Sequence, residues 1–162
     1  MLEKNFLIAD EILFDAKPDA VPYNYRISYK LAQLCLILEM CCGRGGCSLL
    51  KLHMISIGLS TNNDMEKLSD FANDRLTNYT IVRFDPAVNH AVKYALAEEL
   101  FFQQQNGLFR LTKKGKAYVK KIIRNTDLLS NEKRYLFTLS NKLTEEKINN
   151  LTSLWRYSNV EN

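Results

Sequence analysis

Apolar side chains recur with a helical period along most of this chain. In the segment 25–42, positions i, i+3, i+4, i+7 and i+11 are apolar when counted from Leu31, so one face of a helix is hydrophobic. The same period predicts helices over 49–59, 64–76, 86–100, 112–124 and 130–143, and a last helix from residue 144. The pattern therefore predicts a mainly α-helical protein.

The period changes between residues 98 and 124, where two short apolar and aromatic runs flank Asn106-Gly107. This pair predicts a β-hairpin with a two-residue loop, because both central residues of a type I′ turn need a positive φ. Thr112 follows the second run and can cap the next helix. A helix, a hairpin and a second helix in this order are typical of a winged helix-turn-helix. The predicted fold class is therefore mainly α with a small β-hairpin (α+β), a winged helix-turn-helix with additional C-terminal helices.

Glycine and proline set the boundaries between the remaining elements. The run 43–46 (GRGG) ends the first helix, and Ser48 caps the second, which gives the tight link that a helix-turn-helix pair requires. Residues 79–84 are β-branched and aromatic in alternation and predict a strand. Asp85-Pro86 opens the helix that leads into the hairpin, since proline suits a first helical turn.

These boundaries divide the chain into three predicted parts. An N-terminal arm covers 1–24, a winged-helix core covers 25–125, and a C-terminal helical extension, packed on the core or on a partner, covers 126–162. Ile8 and Ile12 can form a short amphipathic segment in the arm, and Pro18 and Pro22 interrupt any helix that would continue from it into the core.

The composition is typical of a globular domain in a reducing compartment. The chain has 162 residues, of which 46% are hydrophobic, so it can bury a core without disulfides. It has no apolar run long enough to span a membrane and no N-terminal pattern of a secretion signal, so we expect a cytoplasmic protein without membrane contact. Its four cysteines should then be reduced.

No pattern of catalytic or ligand-binding residues is found. Cys35, Cys41, Cys42 and Cys47 lack the spacing of a zinc site, and Cys35 and Cys42 lie on the apolar face of the first helix. The two histidines do not pair with a nucleophile, and no phosphate-binding glycine motif is present. We therefore expect no enzymatic activity, no metal and no cofactor.

The distribution of charge points to a binding protein. The net charge is +4, but residues 110–162 carry twelve Lys and Arg against five acidic residues, whereas residues 1–109 are net acidic. Seven cations and no acid occur in the densest block, namely Arg110, Lys113, Lys114, Lys116, Lys120, Lys121 and Arg124. Such a block favours nucleic acid or an acidic protein face as partner, and a merely solvated helix face is the alternative.

The helix that precedes the hairpin occupies the position of a recognition helix. With its apolar face turned inward, it exposes mainly Asn89, His90 and Lys93, and it lies between Asp85 and the pair Glu98-Glu99. This is a poor reader of the major groove, which favours Arg, Lys, Asn and Gln. Any contact with double-stranded DNA should therefore go from the basic block to phosphates and depend strongly on salt. The competing interpretation is a protein-docking module.

Four runs in this order and spacing resemble a known family. They are 26–34 (RISYKLAQL), 48–53 (SLLKLH), 81–91 (IVRFDPAVNHA) and the pattern NGxFxLTxxG from Asn106 to Gly115. Together they resemble the small middle component of three-component ABC-ATPase systems, which include the Lamassu-type anti-phage defence systems. The resemblance covers about residues 26–123.

The resemblance implies an accessory subunit that bridges an SMC-like ABC ATPase and an effector protein in a bacterial defence complex, with catalysis on the other chains. We expect the last helix to bind a partner through Trp155, Leu151 and Ile148, because aromatic residues dominate interfaces. Packing of Trp155 on its own chain is the alternative. The other function considered is a dimeric winged-helix transcriptional regulator that binds an operator.

Overall fold

The computed structural model describes residues 26–80 and 84–158. Within them the chain forms seven α-helices and one two-stranded antiparallel hairpin, which confirms a mainly helical fold with a small sheet. None of the described helices is both long and apolar enough to cross a membrane. The elements are α1 Ile27–Met40, α2 Leu49–Gly58, α3 Asn62–Ala72, α4 Pro86–Ala97, β1 Phe101–Gln103, β2 Phe109–Leu111, α5 Lys113–Arg124, α6 Ser130–Leu139 and α7 Glu145–Ser158.

Three of the predicted helix starts are confirmed by side-chain caps. Ser48, Asp85 and Thr112 each accept a hydrogen bond from a backbone N–H in the first turn of α2, α4 and α5, at 3.1, 2.9 and 3.0 Å. Each cap satisfies one of the N–H groups that a helix start leaves without an intrahelical partner. Pro86 occupies the first turn of α4, where its missing N–H costs nothing.

Helix α1 lies at the centre of the fold. Every residue from Lys30 to Leu38 is buried, and α1 contacts α2, α4, α5, α6 and β2. The sequence predicted one buried face, but the structure covers this helix on all sides. The run Leu34–Leu38 is apolar throughout, and a helix segment that is hydrophobic all round is expected to be buried. The polar side chains Lys30 and Gln33 therefore lie inside the core.

The hairpin has a three-residue loop, so the predicted two-residue type I′ turn is wrong. Gln104 accepts a hydrogen bond from Gly107 N and donates one to Leu108 O, both at 2.9 Å. Gly107 has φ +84°, whereas Asn106 is not among the residues with positive φ. The Asn106 side chain instead accepts a hydrogen bond from Leu108 N at 3.0 Å. This is the geometry of a turn followed by a glycine bulge.

The link between α1 and α2 pairs with the hairpin. Cys47 and Phe109 exchange both backbone hydrogen bonds, at 2.9 and 2.8 Å, as an isolated antiparallel bridge. Gly46, with φ +93°, lies so close to this strand that a Cβ there would be 2.7 Å from Phe109 O. The tight link therefore adds a strand-like third segment beside β2.

The predicted strand over 79–84 is not found where the structure describes it. Tyr79, Thr80 and Phe84 have no strand conformation, and residues 81–83 lie outside the described residues. Tyr79 instead packs its ring against Phe71 of α3, with ring centroids 5.5 Å apart. The predicted arm 1–24, including Ile8 and Ile12, also lies outside the described residues.

The C-terminal helices share the hydrophobic core of the preceding helices. Leu136, Leu139 and Leu143 are buried with side chains of α1 and α2. Glu145, in the first turn of α7, accepts a hydrogen bond from Ser48 N at 2.8 Å. This contact places the start of α7 next to the start of α2.

Candidate anionic-partner interface

Helix α5 is held against the core by a small apolar face and one glycine. Val119 and Ile122 are buried, and Tyr118 packs partly against the same core. A Cβ on Gly115 would overlap the carbonyl oxygen of Leu100, so only glycine lets α5 approach the chain at this point. Gly115 therefore has a packing role within the chain itself.

The opposite face of α5 carries the basic block. The side chains of Lys113, Lys120 and Arg124 are exposed, and at about 100° per residue they lie within about 40° of one another around the helix. Lys116 and Lys121 are exposed on either side of them. The structure therefore brings five of the seven predicted cations onto one continuous surface.

Little of this positive charge is neutralised by the residues that the structure describes. In the described ranges, the only ion pair of α5 joins Lys114 Nζ to Glu98 Oε2 at 3.8 Å. The same Nζ donates a hydrogen bond to Glu98 O at 2.7 Å, which ties α5 to the end of α4. Lys113 and Lys114 also occupy the first turn, where the helix dipole disfavours cations. Lys121 and Arg124 lie in the last turn, where the dipole favours cations. Among the described residues, the exposed cations of α5 other than Lys114 have no acidic partner.

Arg110 lies beside this surface on β2. Its side chain is half-buried, and its guanidinium carbon is 5.9 Å from the ring centroid of Phe102, at the outer limit of a cation–π contact. Arg44, from the glycine link after α1, reaches the same region as Arg110 and Lys116. Sequence reasoning missed Arg44, although it is the one charged residue in that link.

The recognition-position residues Asn89, His90 and Lys93 are exposed on α4, as predicted. Asn89 is already engaged, because its Oδ1 lies 3.0 Å from Nε2 of the buried His53. The ring of His53 also packs edge-on against Phe84, at 5.1 Å between centroids. Reading a base through Asn89 would thus compete with an intramolecular hydrogen bond.

The predicted partner-binding residues of α7 face the chain's own core. Ile148 and Leu151 are each only 2% exposed, so in this conformation they are not available to a partner. Trp155 is half-buried and packs against the same core. Leu154 and Tyr157 on the outer face of α7 are 56% and 75% exposed. The apolar surface of α7 is therefore formed by these two residues.

The cysteines are free thiols, and three of them are buried. Burial raises the pKa of Cys35 and of Cys41 to about 12, and it raises the pKa of Cys47 well above its usual value. Such thiols remain protonated at neutral pH and behave as small apolar side chains. The described residues contain no group of three or more His, Cys, Asp or Glu that could hold a metal ion.

Three comparisons with known proteins found no similar protein. No protein-family model, no curated protein and no solved structure matches this chain.

Proposed function

We propose that this chain is a non-catalytic winged-helix accessory subunit that docks on an anionic partner surface through α5. The observation that carries the proposal is the outward face of α5, where Lys113, Lys120 and Arg124 are aligned without an ion pair in the described ranges. Unpaired like charges on one helix face oppose folding and favour an oppositely charged partner.

The winged-helix part of the proposal is supported by the order of the elements. Helices α1, α2 and α4 are followed by the hairpin β1–β2, and the link at Cys47 pairs with Phe109 as a third strand. Helix α3 is an additional helix between α2 and α4. In this arrangement α4 has the position of the recognition helix and the hairpin that of the wing.

Docking is favoured over base reading by the chemistry of α4. This helix exposes one lysine, is capped by Asp85, and ends at the acidic pair Glu98-Glu99. Asp85 is neutralised by Lys30, but the acidic pair at the end of α4 repels the phosphates beside a major groove. The basic surface of α5 and the wing residue Arg110 are therefore the proposed contact surface.

A bridging subunit needs two surfaces of different chemistry. The basic face of α5 is one, and the apolar residues Leu154 and Tyr157 on α7 are the other. Following the family resemblance, we propose an SMC-like ABC ATPase and an effector of a bacterial defence complex as the partners. Catalysis then belongs to those chains.

The test is affinity purification of the full-length chain from its native host without added DNA, followed by mass spectrometry. The proposal expects a large coiled-coil ATPase in stoichiometric amount. The variant Lys120→Glu with Arg124→Glu should lose this partner, whereas the control Lys67→Glu with Lys142→Glu, at exposed sites on other elements, should keep it.

The regulator alternative predicts a different result. A lone homodimer that shifts one promoter fragment at physiological salt, with weaker binding after Asn89→Ala and Lys93→Ala, would replace the subunit proposal. Recovery of the ATPase by the charge-reversed α5 variant would show that α5 is not the docking surface.

A further inference from the structure

A small cavity lies where the glycine link after α1, strand β2 and helix α5 meet. Its volume is about 160 Å³. Its lining includes the buried apolar side chains of Leu38, Phe109 and Leu111. Four charged side chains from four different segments surround it, namely Glu39, Arg44, Arg110 and Lys116.

The balance of charge around this cavity is positive. Three cations stand against the one carboxylate of Glu39. Within residues 26–80 and 84–158, neither Arg44 nor Lys116 has an acidic group within ion-pair distance, and Glu39 pairs with none of the cations. Cations brought together on a concave surface without a counter-charge form a site for an anion.

We propose that this cavity holds one phosphate of a DNA backbone that continues along the basic face of α5. The inference rests on the basic surface of α5 that the proposed function describes. It assigns DNA to this surface, so DNA and the protein partner would compete for it. The cavity volume is about ten times what one water molecule requires, so the cavity can hold a phosphate group with its waters. Arg44 and Arg110 supply guanidinium groups, which match phosphate oxygens with two parallel hydrogen bonds, and Lys116 supplies a point charge.

Phosphate fits this arrangement better than a carboxylate side chain does. The three cations that line the cavity belong to three different segments, namely the link after α1, strand β2 and helix α5. A tetrahedral phosphate presents oxygens in several directions, whereas a carboxylate presents two oxygens in one plane.

A nucleic-acid backbone fits better than an isolated phosphate ion. From Lys116, α5 carries Lys120 and Arg124 further along the same surface, about 12 Å at 1.5 Å per residue. Each strand of duplex DNA has one phosphate per about 3.4 Å of helix axis, so a backbone seated in the cavity presents further phosphates along this length. Contacts of this kind fix the position of the duplex without reading its sequence.

The experiment measures fluorescence anisotropy of short labelled DNA duplexes of two unrelated sequences, with the full-length protein, over a series of salt concentrations. The wild type should bind both duplexes equally. The variant Arg44→Gln, Arg110→Gln, Lys116→Gln should bind at least about tenfold more weakly, with the slope of log affinity against log salt reduced by about one per lost phosphate contact. The matched control Arg134→Gln, Lys142→Gln, Arg156→Gln removes the same charges at exposed sites on other elements and should retain the slope.

Glu39 gives a test of opposite sign. Glu39 lines the cavity, and its carboxylate repels a phosphate bound there, so Glu39→Gln should strengthen DNA binding by a few-fold. Glu66→Gln, an exposed acid on α3, should change it much less. An unchanged affinity of Glu39→Gln would overturn the inference. This test remains valid if the triple variant fails to fold.

Cys42 lines the cavity and is the half-exposed one of the four thiols, so it can report occupancy directly. Duplex DNA should slow its alkylation by a maleimide, and polyglutamate at equal charge concentration should not. Equal protection by polyglutamate would assign the cavity to acidic protein and overturn the inference.

The results also separate this inference from the proposed function. DNA binding that the cavity variants leave unchanged, or no DNA binding even at low salt, overturns the DNA inference, and recovery of the ATPase would still support the subunit. Cavity-dependent DNA binding without any recovered ATPase supports the inference and contradicts the subunit proposal.

Discussion

The ammonium group of Lys30 lies 2.9 Å from Oδ2 of Asp85, and the two side chains are only 4% and 11% exposed. The other carboxylate oxygen of Asp85 caps α4 at Ala87 N. Lys30 also donates to Ser56 Oγ at 2.9 Å, and Ser56 donates to Gln33 Oε1 at 2.6 Å. The pair therefore fixes the start of α4 to α1 and α2.

Breaking this pair from one side should be strongly destabilising. Lys30→Met leaves the Asp85 carboxylate buried without its counter-charge, which costs about 3–5 kcal/mol for a buried pair. Urea denaturation of three variants measures this effect. They are Lys30→Met, Asp85→Asn and the double variant that combines both changes. The double variant should lose less stability than the sum of the single variants, because neither charge is left unpaired. Strictly additive losses would show that the two groups do not interact.

Gly115→Ala should destabilise the fold, because the added Cβ overlaps Leu100 O and pushes α5 away from the core. The expected loss is about 1–3 kcal/mol, the range for overpacking. Gly43→Ala is the matched control, since a Cβ there meets nothing within 4 Å and the backbone needs no positive φ. Chemical denaturation of both variants checks the difference. Equal stability of the two would mean that α5 does not approach Leu100 so closely.

Local signals in the sequence predicted the helices and their caps well. Ser48, Asp85 and Thr112 begin α2, α4 and α5 because each short polar side chain satisfies a free N–H of the first turn. The hairpin was located correctly at Gly107, but its loop length depends on hydrogen bonds between Gln104 and Leu108 that the dipeptide alone does not determine. Residues 79–84 have the β-branched and aromatic composition of a strand. Tyr79 nevertheless packs its ring against Phe71 of α3 and does not pair with a neighbouring strand.

Contacts between distant segments could not be predicted from the sequence. The apolar face predicted for α1 did not include Lys30 and Gln33, yet both are buried and hydrogen-bonded to Ser56 of α2. The candidate interface shows the same limit. Its cations on α5 are close in sequence and were found. Glu39 and Arg44 join them at the cavity only through the packing of α1 and its link beside β2 and α5.

The buried thiols should make the protein lose stability at alkaline pH. Burial raises the pKa of Cys35 and of Cys41 from 9.0 to about 12. Between these values the unfolded chain releases the thiol protons while the folded chain keeps them, so stability falls as pH rises above about 9 and is unaffected by these groups below it. Each thiol contributes up to about 1.4 kcal/mol per pH unit to this slope.

Chemical denaturation at a series of pH values measures this effect. For each variant, the quantity to compare is the loss of unfolding free energy per pH unit above about pH 9. Cys35→Ala with Cys41→Ala should be less stable at neutral pH, because it leaves cavities, but should show a shallower alkaline loss. Ile37→Val removes a buried methylene from the same helix without removing a titrating group, so it should keep the wild-type slope. The same slope in the double cysteine variant would contradict the prediction. Tyr79, whose pKa burial raises to about 12, contributes a remaining loss above pH 10 in all variants.

The two faces of α7 should respond differently to truncation. Leu151→Ala removes a side chain that is 2% exposed and should cost about 2–5 kcal/mol of unfolding free energy. Leu154→Ala, at a position 56% exposed, should change it by less than about 0.5 kcal/mol. Denaturant titrations of the two variants are directly comparable, because the same group is removed from the same helix.

Affinity purification of α7 variants separates effects on stability from effects on partner binding. If α7 docks through its outer face, Leu154→Ala with Tyr157→Ala should lose the effector or the ATPase from the affinity-purified complex while the chain unfolds at the wild-type denaturant concentration. Trp155→Ala should lower stability measurably, because this side chain packs partly against the core. The complex could persist in the Leu154→Ala, Tyr157→Ala variant and be lost only after charge reversal on α5. In that case α5 would be the docking surface and the outer face of α7 would not. The bridging role would then require a second contact elsewhere.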